Sequence, residues 1–304
     1  MSTPKLKRST AVLVLGYSRP EFVKNRLEEL SIWVSSGNKV YVSIDGSKKN
    51  AGSTISKDFD YLEDQFPQFN WIRRKENLGL VNHLTTQIEW CLETYENVVI
   101  VEDDISISLS SLSAIDEVLS EPLDPSVMTV GLFGSLPANA AFLALNNRWR
   151  KSRYFSAWGW GIQREAWSLY SPEIVKQKGL EVLNKSNYWR ELNNEQRRRW
   201  IYRFSKVKDN PRLTWDYQMQ FISFVNDLVH ILPKYRLCDN VGFGDLRATN
   251  TTEHRPRWYR GKMTRKTPKS REDFIGQKQG RLLEIIDSYT WIGDRNLMDR
   301  IRNR

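Results

Sequence analysis

The chain is short of cysteine, of long apolar runs and of linker-like composition, and each shortage excludes a class of protein. Two cysteines, Cys91 and Cys238, in 304 residues can build neither a disulfide framework nor a zinc site of Cys-x-x-Cys spacing. They read as small core residues in a reducing compartment. The apolar stretch "AVLVLG", which follows the basic "MSTPKLKRST", is too short for a signal-peptide core or a membrane span. A cytoplasmic protein is expected, with peripheral membrane contact left open. No internal repeat or low-complexity linker interrupts the sequence, so one integrated domain is expected rather than two independent ones. The first loop is not the glycine-rich, lysine-bearing kind that would cradle a triphosphate, which argues against a nucleotidyltransferase.

The charge present is unevenly spread. Residues 1–150 carry 15 Lys+Arg against 19 Asp+Glu, whereas residues 151–304 carry 31 against 17. The excess gathers in "RWRKSR" (148–153), "QRRRWIYR" (196–203) and "RPRWYRGKMTRK" (255–266), where arginine alternates with Trp or Tyr. Such runs suit a polyanionic surface: an acidic glycan, lipid headgroups or DNA. A solvated basic face is the plain alternative.

Hydrophobic periodicity alternates strand and helix over the first hundred residues. "STAVLVLGYS", "KVYVSIDGS", "FNWIRRKE" and "NVVIVEDDI" read as strands, separated by the helical "RPEFVKNRLEELSIW", "FDYLEDQF" and "NLGLVNHLTTQIEWCLETY". In the first helix the apolar positions are Phe22, Val23, Leu27, Leu30 and Ile32. This order implies an α/β fold, a mainly parallel central sheet flanked by helices, which binds ligands at the carboxyl ends of its strands. "SLSAIDEVLSEPL" and "REAWSLYSPEIVKQKGLEVL" read as further helical segments. "VMTVGLFGS", "YFSAWGWGIQ" and "LVHILPKY" read as strands, with a basic helix at 195–207 and an amphipathic one in "NPRLTWDYQMQFISFVND". Beyond Asn240 the chain becomes a Gly-, Thr- and Asn-rich loop.

Glu102, Asp103 and Asp104 stand side by side where the most apolar strand ends. Adjacent carboxylates repel one another, and a divalent cation with oxygen ligands, Mn²⁺ or Mg²⁺, relieves that repulsion. Arg19, Asp45, Asn77 and Gly79 fall at the same strand-end rim. Each also has a local reading: helix start, turn, or turn before a helix.

The succession "LGYSRPEF", "SIDG", "RRKENLGL", "VVIVEDDI", with the later "WDYQM" and "NVGFGDLRATNTTEH", resembles nucleotide-sugar glycosyltransferases of the GT-A fold. Within these it resembles bacterial sugar-transferase-like proteins related to the N-acetylglucosaminyltransferase I type. The resemblance spans roughly residues 11–254. It implies a domain over 1–254, with a nucleotide-sugar half (1–130) and an acceptor half (131–254), followed by a basic extension (255–304).

The same resemblance implies the roles. Asp104 and His254 would contact the metal. Arg19, Asp45, Asn77, Gly79, Glu102 and Asp103 would hold the nucleotide. Relatives often carry a cation after the Asn-x-Gly element; here Leu80 to His83 follow, and Arg73 or Arg74 is a substitute for the phosphates. Asp216 would be the base for an inverting transfer, with a helix cap as its alternative. Trp158, Gly159, Trp160 and Trp215 would face the sugar or acceptor, although most tryptophans are core residues. His83 and His230 read as structural. The implied donor is a nucleotide-diphospho-sugar, with UDP favoured, and the implied acceptor a surface glycan or lipid-linked precursor. A transferase acting on modified DNA bases, a nucleotidyltransferase and a non-catalytic nucleic-acid-binding protein are the competing expectations.

Overall fold

A computed structural model describes residues 9–48, 53–134 and 149–247, together with Tyr259, Asp287, Ser288 and Thr290. The chain opens with β1 (Thr10–Gly16) and then α1 (Pro20–Ser35), where Pro20 pre-sets the first turn. β2 (Val40–Ile44), α2 (Ser53–Gln65), β3 (Asn70–Arg73), α3 (Leu80–Thr94) and β4 (Asn97–Glu102) complete the alternation read from periodicity. After β4 come β5 (Ile105–Ile107), α4 (Leu109–Leu119), β6 (Val127–Gly131), β7 (Trp149–Ser152) and β8 (Trp160–Gln163). Three short helices follow, α5 (Arg164–Trp167), α6 (Ile174–Lys178) and α7 (Asn187–Glu191). Two longer helices, α8 (Asn194–Asp209) and α9 (Asp216–Val225), lead to β9 (Val229–Pro233) and β10 (Cys238–Asn240).

Eight strands form one sheet in the order β3-β2-β1-β4-β8-β6-β9-β7. The β3-β2-β1-β4 half is parallel, while β8 runs antiparallel between β4 and β6. β6 and β9 are parallel, and β7 closes the edge antiparallel to β9. β1 shows why its sequence is apolar without interruption: Val12 and Val14 enter one core with α1, α2 and α4, and Leu13 and Leu15 enter the other with α3, α8 and α9. A strand covered on both faces has no solvent side to make polar.

The helices are placed by similar logic. In α1, Val23, Leu27 and Leu30 are buried, but Ile32 is 65% exposed and Arg26 takes a buried position. α8 begins with a reciprocal capping box between Asn193 and Gln196, which satisfies N–H groups that no helical carbonyl reaches. The strand expected over "YFSAWGWGIQ" is confined to Trp160–Gln163.

β7 was not visible as a strand in the sequence, because "WRKS" is basic. Trp149 is buried, and Arg150 is paired inside the protein with Asp287 at 2.5 and 2.6 Å, the same carboxylate accepting from Ser152 Oγ at 2.7 Å. The 148–153 run is therefore partly interior. In α8, likewise, Arg197 is turned onto the carbonyls of Trp189 and Arg190, and Arg199 pairs with Glu195. The third basic run lies outside the described residues except for Tyr259, as does the 255–304 extension apart from Tyr259, Asp287, Ser288 and Thr290. Among the described residues, no helix is long and apolar enough to cross a membrane.

Candidate active site

A cleft of about 340 Å³ opens at the carboxyl ends of β1, β2 and β4. Arg19, Asp45, Asn77, Gly79, Glu102, Asp103, Asp104 and Trp158 all line it. Seven of these come from the ends of β1, β2, β3 and β4 and the loops that follow them, as the doubly wound topology dictates.

The acidic turn after β4 is held from several sides. Asp103 N–H donates to the Leu15 carbonyl at 3.0 Å, and Arg26 of α1 donates to the Asp103 carbonyl at 3.3 Å. Glu29, ion-paired with Arg26 at 2.7 Å, accepts from Ser106 Oγ at 2.7 Å and from Ile107 N–H at 3.1 Å. α1 is thus a clamp on the turn that carries the acids. On the opposite strand, β10 pairs antiparallel with β5, and Val241 N–H donates to the Asp104 carbonyl at 2.8 Å. A Cβ at Gly242 would lie 2.5 Å from Asp104 Oδ2, so only glycine lets this loop approach so closely.

Arg19 enters the cleft from the β1–α1 loop. Its Nε donates to Asp103 Oδ2 at 3.0 Å, and its Nη2 bonds to Asp103 Oδ1 and, at 3.2 Å, to Asp104 Oδ2. Burial works against the guanidinium, but the two aspartates outweigh it and hold its pKa above the ordinary value. Burial pushes Asp103 up to about 6 despite Arg19. Glu102 lies well above the usual carboxylate range, first because it is desolvated and then because Asp104, Asp103 and Asp216 repel its charge. The three acids exceed the one arginine that faces them.

That imbalance fits a divalent cation. Among the described residues, no side chain donates to the Glu102 carboxylate, and Asp104 uses only Oδ2 toward Arg19. Oxygen donors in surplus, partly dehydrated, are the ligand set that Mg²⁺ or Mn²⁺ takes. Among the described residues, no group of three or more His, Cys, Asp or Glu is placed to hold a metal ion, so a cation here would take one or two carboxylates and draw its other ligands from elsewhere, such as diphosphate oxygens. His254, expected as one further contact, lies outside the described residues.

The β2 end builds part of the cleft wall. Asp45 spends its oxygens on the loop that precedes α3, accepting from Leu78 N–H at 2.8 Å, Gly79 N–H at 3.0 Å and Asn77 Nδ2 at 3.2 Å. Asn77 also donates to the Gly46 carbonyl at 2.7 Å. The two residues lock the start of α3 in the cleft wall. Gly79 has φ +76°, and no atom lies within 4 Å of where its Cβ would stand, so conformation rather than crowding requires glycine and the space above it is open to the cleft.

The expected phosphate partners are not at the cleft. Arg73 is paired with Asp60 at 3.0 Å and lies over the Phe59 ring, and neither it nor Arg74 lines the cleft. Lys48 and Arg247 do line it. Arg247 bonds to Asp245 and to Glu21 of α1, and the Asp245 and Glu21 contacts hold its guanidinium above the ordinary value. Both cations were missed because each sits in a polar loop with no periodic pattern around it.

The tryptophans divide. Trp158 lines the cleft, set edge-on to Phe133, Tyr259 and Phe243. Trp160 is fully buried and stacks on the buried Trp215 with centroids 5.1 Å apart. Neither of those rings has a face left for a sugar, which corrects the expectation for Trp160 and Trp215. Gly159, at φ +61°, makes the turn that separates the half-buried Trp158 from the fully buried Trp160.

Asp216 opens α9 in its first turn, with Trp215 at the cap position and no side-chain cap bond there. It is half-buried and bonds to the Thr214 hydroxyl. Burial raises its pKa, against the Thr214 bond, backbone N–H groups and Arg203. It lines a second cavity of about 180 Å³ with Phe155, Trp200, Arg203, Tyr217 and Gln220. His83, buried at the cleft wall, bonds to Ser43 at 2.8 Å and is held near pKa 4 by desolvation; His230, fully buried, bonds to Thr129 at 2.7 Å. Both are buried and hydrogen-bonded within the fold.

No family model and no curated protein matches the chain. Solved structures do resemble it in part. The mannosyltransferase PcManGT of Pyrobaculum calidifontis, determined with GDP-mannose and Mn²⁺, is 16% identical over 55% of this chain and 48% of its own, with a TM-score of 0.39. Glucosyl-3-phosphoglycerate synthase of Mycobacterium tuberculosis, determined with Mn²⁺, UDP-glucose and phosphoglyceric acid, is 12% identical over 52% and 57%, with a TM-score of 0.32. GalNAc-T7, with UDP, GalNAc and Mn²⁺, is 9% identical over 77% and 45%, with a TM-score of 0.42. The chain thus spans about half the length of these structures, and none of the three scores reaches 0.5.

Proposed function

We propose that the protein is a metal-dependent glycosyltransferase, moving a hexosyl or pentosyl group from a nucleotide-diphospho-sugar, UDP-linked by preference, to an acceptor hydroxyl with inversion. One observation carries this reading: the surplus carboxylates Glu102, Asp103 and Asp104 line one strand-end cleft together with the cations Arg19, Lys48 and Arg247, and the separate half-buried Asp216 lines a second cavity while adding to the negative charge felt at Glu102. A base within electrostatic reach of a metal-type acidic cluster is the arrangement a displacement at a diphosphate-activated carbon needs.

In this reading Glu102 and Asp104 would hold Mn²⁺ or Mg²⁺, whose chemistry is to offset charge on a departing diphosphate. Arg19, Lys48 and Arg247 bind phosphate oxygens. The loop locked by Asp45 and Asn77 shapes the nucleotide pocket around open Gly79, and Trp158 faces the sugar. Asp216 takes the proton of the acceptor hydroxyl as the new C–O bond forms and the sugar–phosphate bond breaks. The acceptor is a surface glycan or lipid-linked precursor. Because much of the first two basic runs is spent on internal partners, the DNA acceptor loses its main support.

A thermal-shift screen of UDP-, GDP-, CMP- and TDP-sugars, each with and without Mn²⁺, tests the reading, since a ligand that binds only the folded state raises its apparent stability. A shift that requires one nucleotide and the metal together is expected. Inertness of every nucleotide in the presence of metal would refute the donor site.

A further inference from the structure

Helix α8 carries apolar side chains on both of its sides. Its inward stripe, Trp200, Phe204 and Val207, is buried in the core that it shares with α9. On the opposite side, Arg198, Ile201, Tyr202, Lys206 and Lys208 are exposed at spacings that gather them on one arc of the helix. Ile201 is 42% and Tyr202 62% exposed, so neither serves the core. The Lys206 ammonium lies 4.4 Å from the Tyr202 ring centroid. Of the two acids in α8, Glu195 is half-buried and paired with Arg199 at 2.7 Å, which leaves only Asp209 exposed against the three cations of the arc.

Cations interleaved with an aliphatic and an aromatic side chain match the surface of an anionic bilayer. Tyrosine settles at headgroup level, isoleucine enters the boundary of the acyl chains, and lysine or arginine stems extend until their charges reach lipid phosphates. Nucleic acid would use the cations, but it offers no apolar phase for Ile201, and Lys206 already covers one face of the Tyr202 ring. The arc also adjoins the cavity at Asp216. Trp200 and Arg203, which line that cavity, bracket Ile201 and Tyr202 in the helix. Lys206 and Tyr202 both act electrostatically on Tyr217, another lining residue. The loop that leads from α8 to Asp216 repeats the composition with the exposed pair Arg212 and Leu213.

We propose that the outer face of α8, together with Arg212 and Leu213, docks on an anionic bilayer, and that docking brings the Asp216 cavity to the headgroup plane, where it meets a lipid-linked acceptor. The acceptor clause rests on the glycosyltransferase reading; the docking itself does not.

Flotation of the full chain with vesicles of phosphatidylcholine alone, or of phosphatidylcholine and phosphatidylglycerol in equal parts, tests the docking. Binding to the mixed vesicles and little to the neutral ones is expected, weakening as salt screens the exposed charges. The pair Ile201→Ser and Tyr202→Ser removes apolar contact at unchanged charge, and the pair Lys206→Gln and Lys208→Gln removes charge while keeping the apolar side chains. Each pair should lower vesicle affinity at least roughly tenfold. All four side chains are exposed, so the variants should melt with the parent. No binding to the mixed vesicles, binding that the serine pair leaves unchanged, or tighter binding to duplex DNA than to the vesicles overturns the proposal. The nucleotide thermal shift should be equal in parent and variants, and it separates the two failures. If it is present without vesicle binding, only the docking falls; if vesicles bind and every nucleotide is inert, the glycosyltransferase reading falls and the docking face stands.

Discussion

The Arg19 guanidinium and the Asp103 carboxylate meet as fork to fork, two parallel N–H···O bonds that join the end of β1 to the end of β4 across the candidate metal site. With side chains only 13% and 7% exposed, the pair is screened little by solvent. Removing one partner leaves a dehydrated charge behind. Arg19→Met is expected to destabilise the metal-free protein by about 3 kcal/mol, and Mn²⁺ should restore more stability to the variant than to the parent, because it supplies the missing positive charge. Urea unfolding with and without Mn²⁺ gives the comparison; equal metal effects on both proteins would remove the acids from the metal site.

Asp216→Asn separates binding from transfer. The donor-dependent thermal shift should remain, while kcat falls by roughly 10²–10⁴, the range assigned to a positioned base. Because burial raises the Asp216 pKa, the acidic limb of the parent's pH–rate profile should lie above that of an ordinary aspartate. The same shift has a stability consequence. The folded state holds the proton more tightly than the unfolded state, so ionisation at neutral pH costs stability that is present in full only below the ordinary carboxylate range. The Asn variant should melt higher than the parent at pH 7 and no higher near the bottom of that range.

Asp287 is expected to be indispensable to the fold. Its carboxylate is fully buried and holds Arg150 and Ser152 of β7. Asp287→Ala should cost about 3–5 kcal/mol by stranding Arg150 inside the protein, read as a fall in chemical-denaturation midpoint. A neutral result would show that the 255–304 region is a detachable extension after all.

His230 gives the molecule an acid sensitivity. Burial holds its pKa near 3, so the folded protein keeps it neutral while the unfolded chain protonates near the ordinary value of about 6.5. Stability from this group is present above that ordinary value and is lost as pH falls, at up to about 1.4 kcal/mol per pH unit. His230→Gln should flatten the decline in unfolding free energy between neutral and mildly acidic pH. An unchanged slope would mean that the imidazole is already charged in the fold.

How far these features were legible in the sequence depends on how local their causes are. β1 to β4 and α1 to α3 were readable because burial on both faces writes itself as uninterrupted β-branched and apolar residues, and because the acids sit directly at a strand end. β7 was not, since its basic Arg150 is stabilised by a carboxylate 137 positions away. Trp158 and Trp160 share nearly the same local sequence, and only the packing of β8 against β4 and β6 decides that Trp160 is fully buried while Trp158 keeps part of its ring at the cleft. Asp45 was assigned to the ligand because its position is right, and it lines the cleft; that its oxygens also hold the Leu78 and Gly79 N–H groups depends on a loop 33 and 34 residues later. Lys48 and Arg247 were invisible for the same reason.

The ribbon of β5 and β10 joins residues 105–107 to residues 238–240, and this separation sets an order of events during biosynthesis. Closing so long a loop is entropically costly and slow compared with pairing the early strands. A chain leaving the ribosome can assemble β1 to β4 and α1 to α3 first, but the acidic turn gains its covering strand and the close approach of Gly242 only after Asn240 has emerged. Maturation of the cleft is therefore the late step, and a nascent chain arrested before it would carry a formed nucleotide-type sheet with an unfinished, exposed acidic edge.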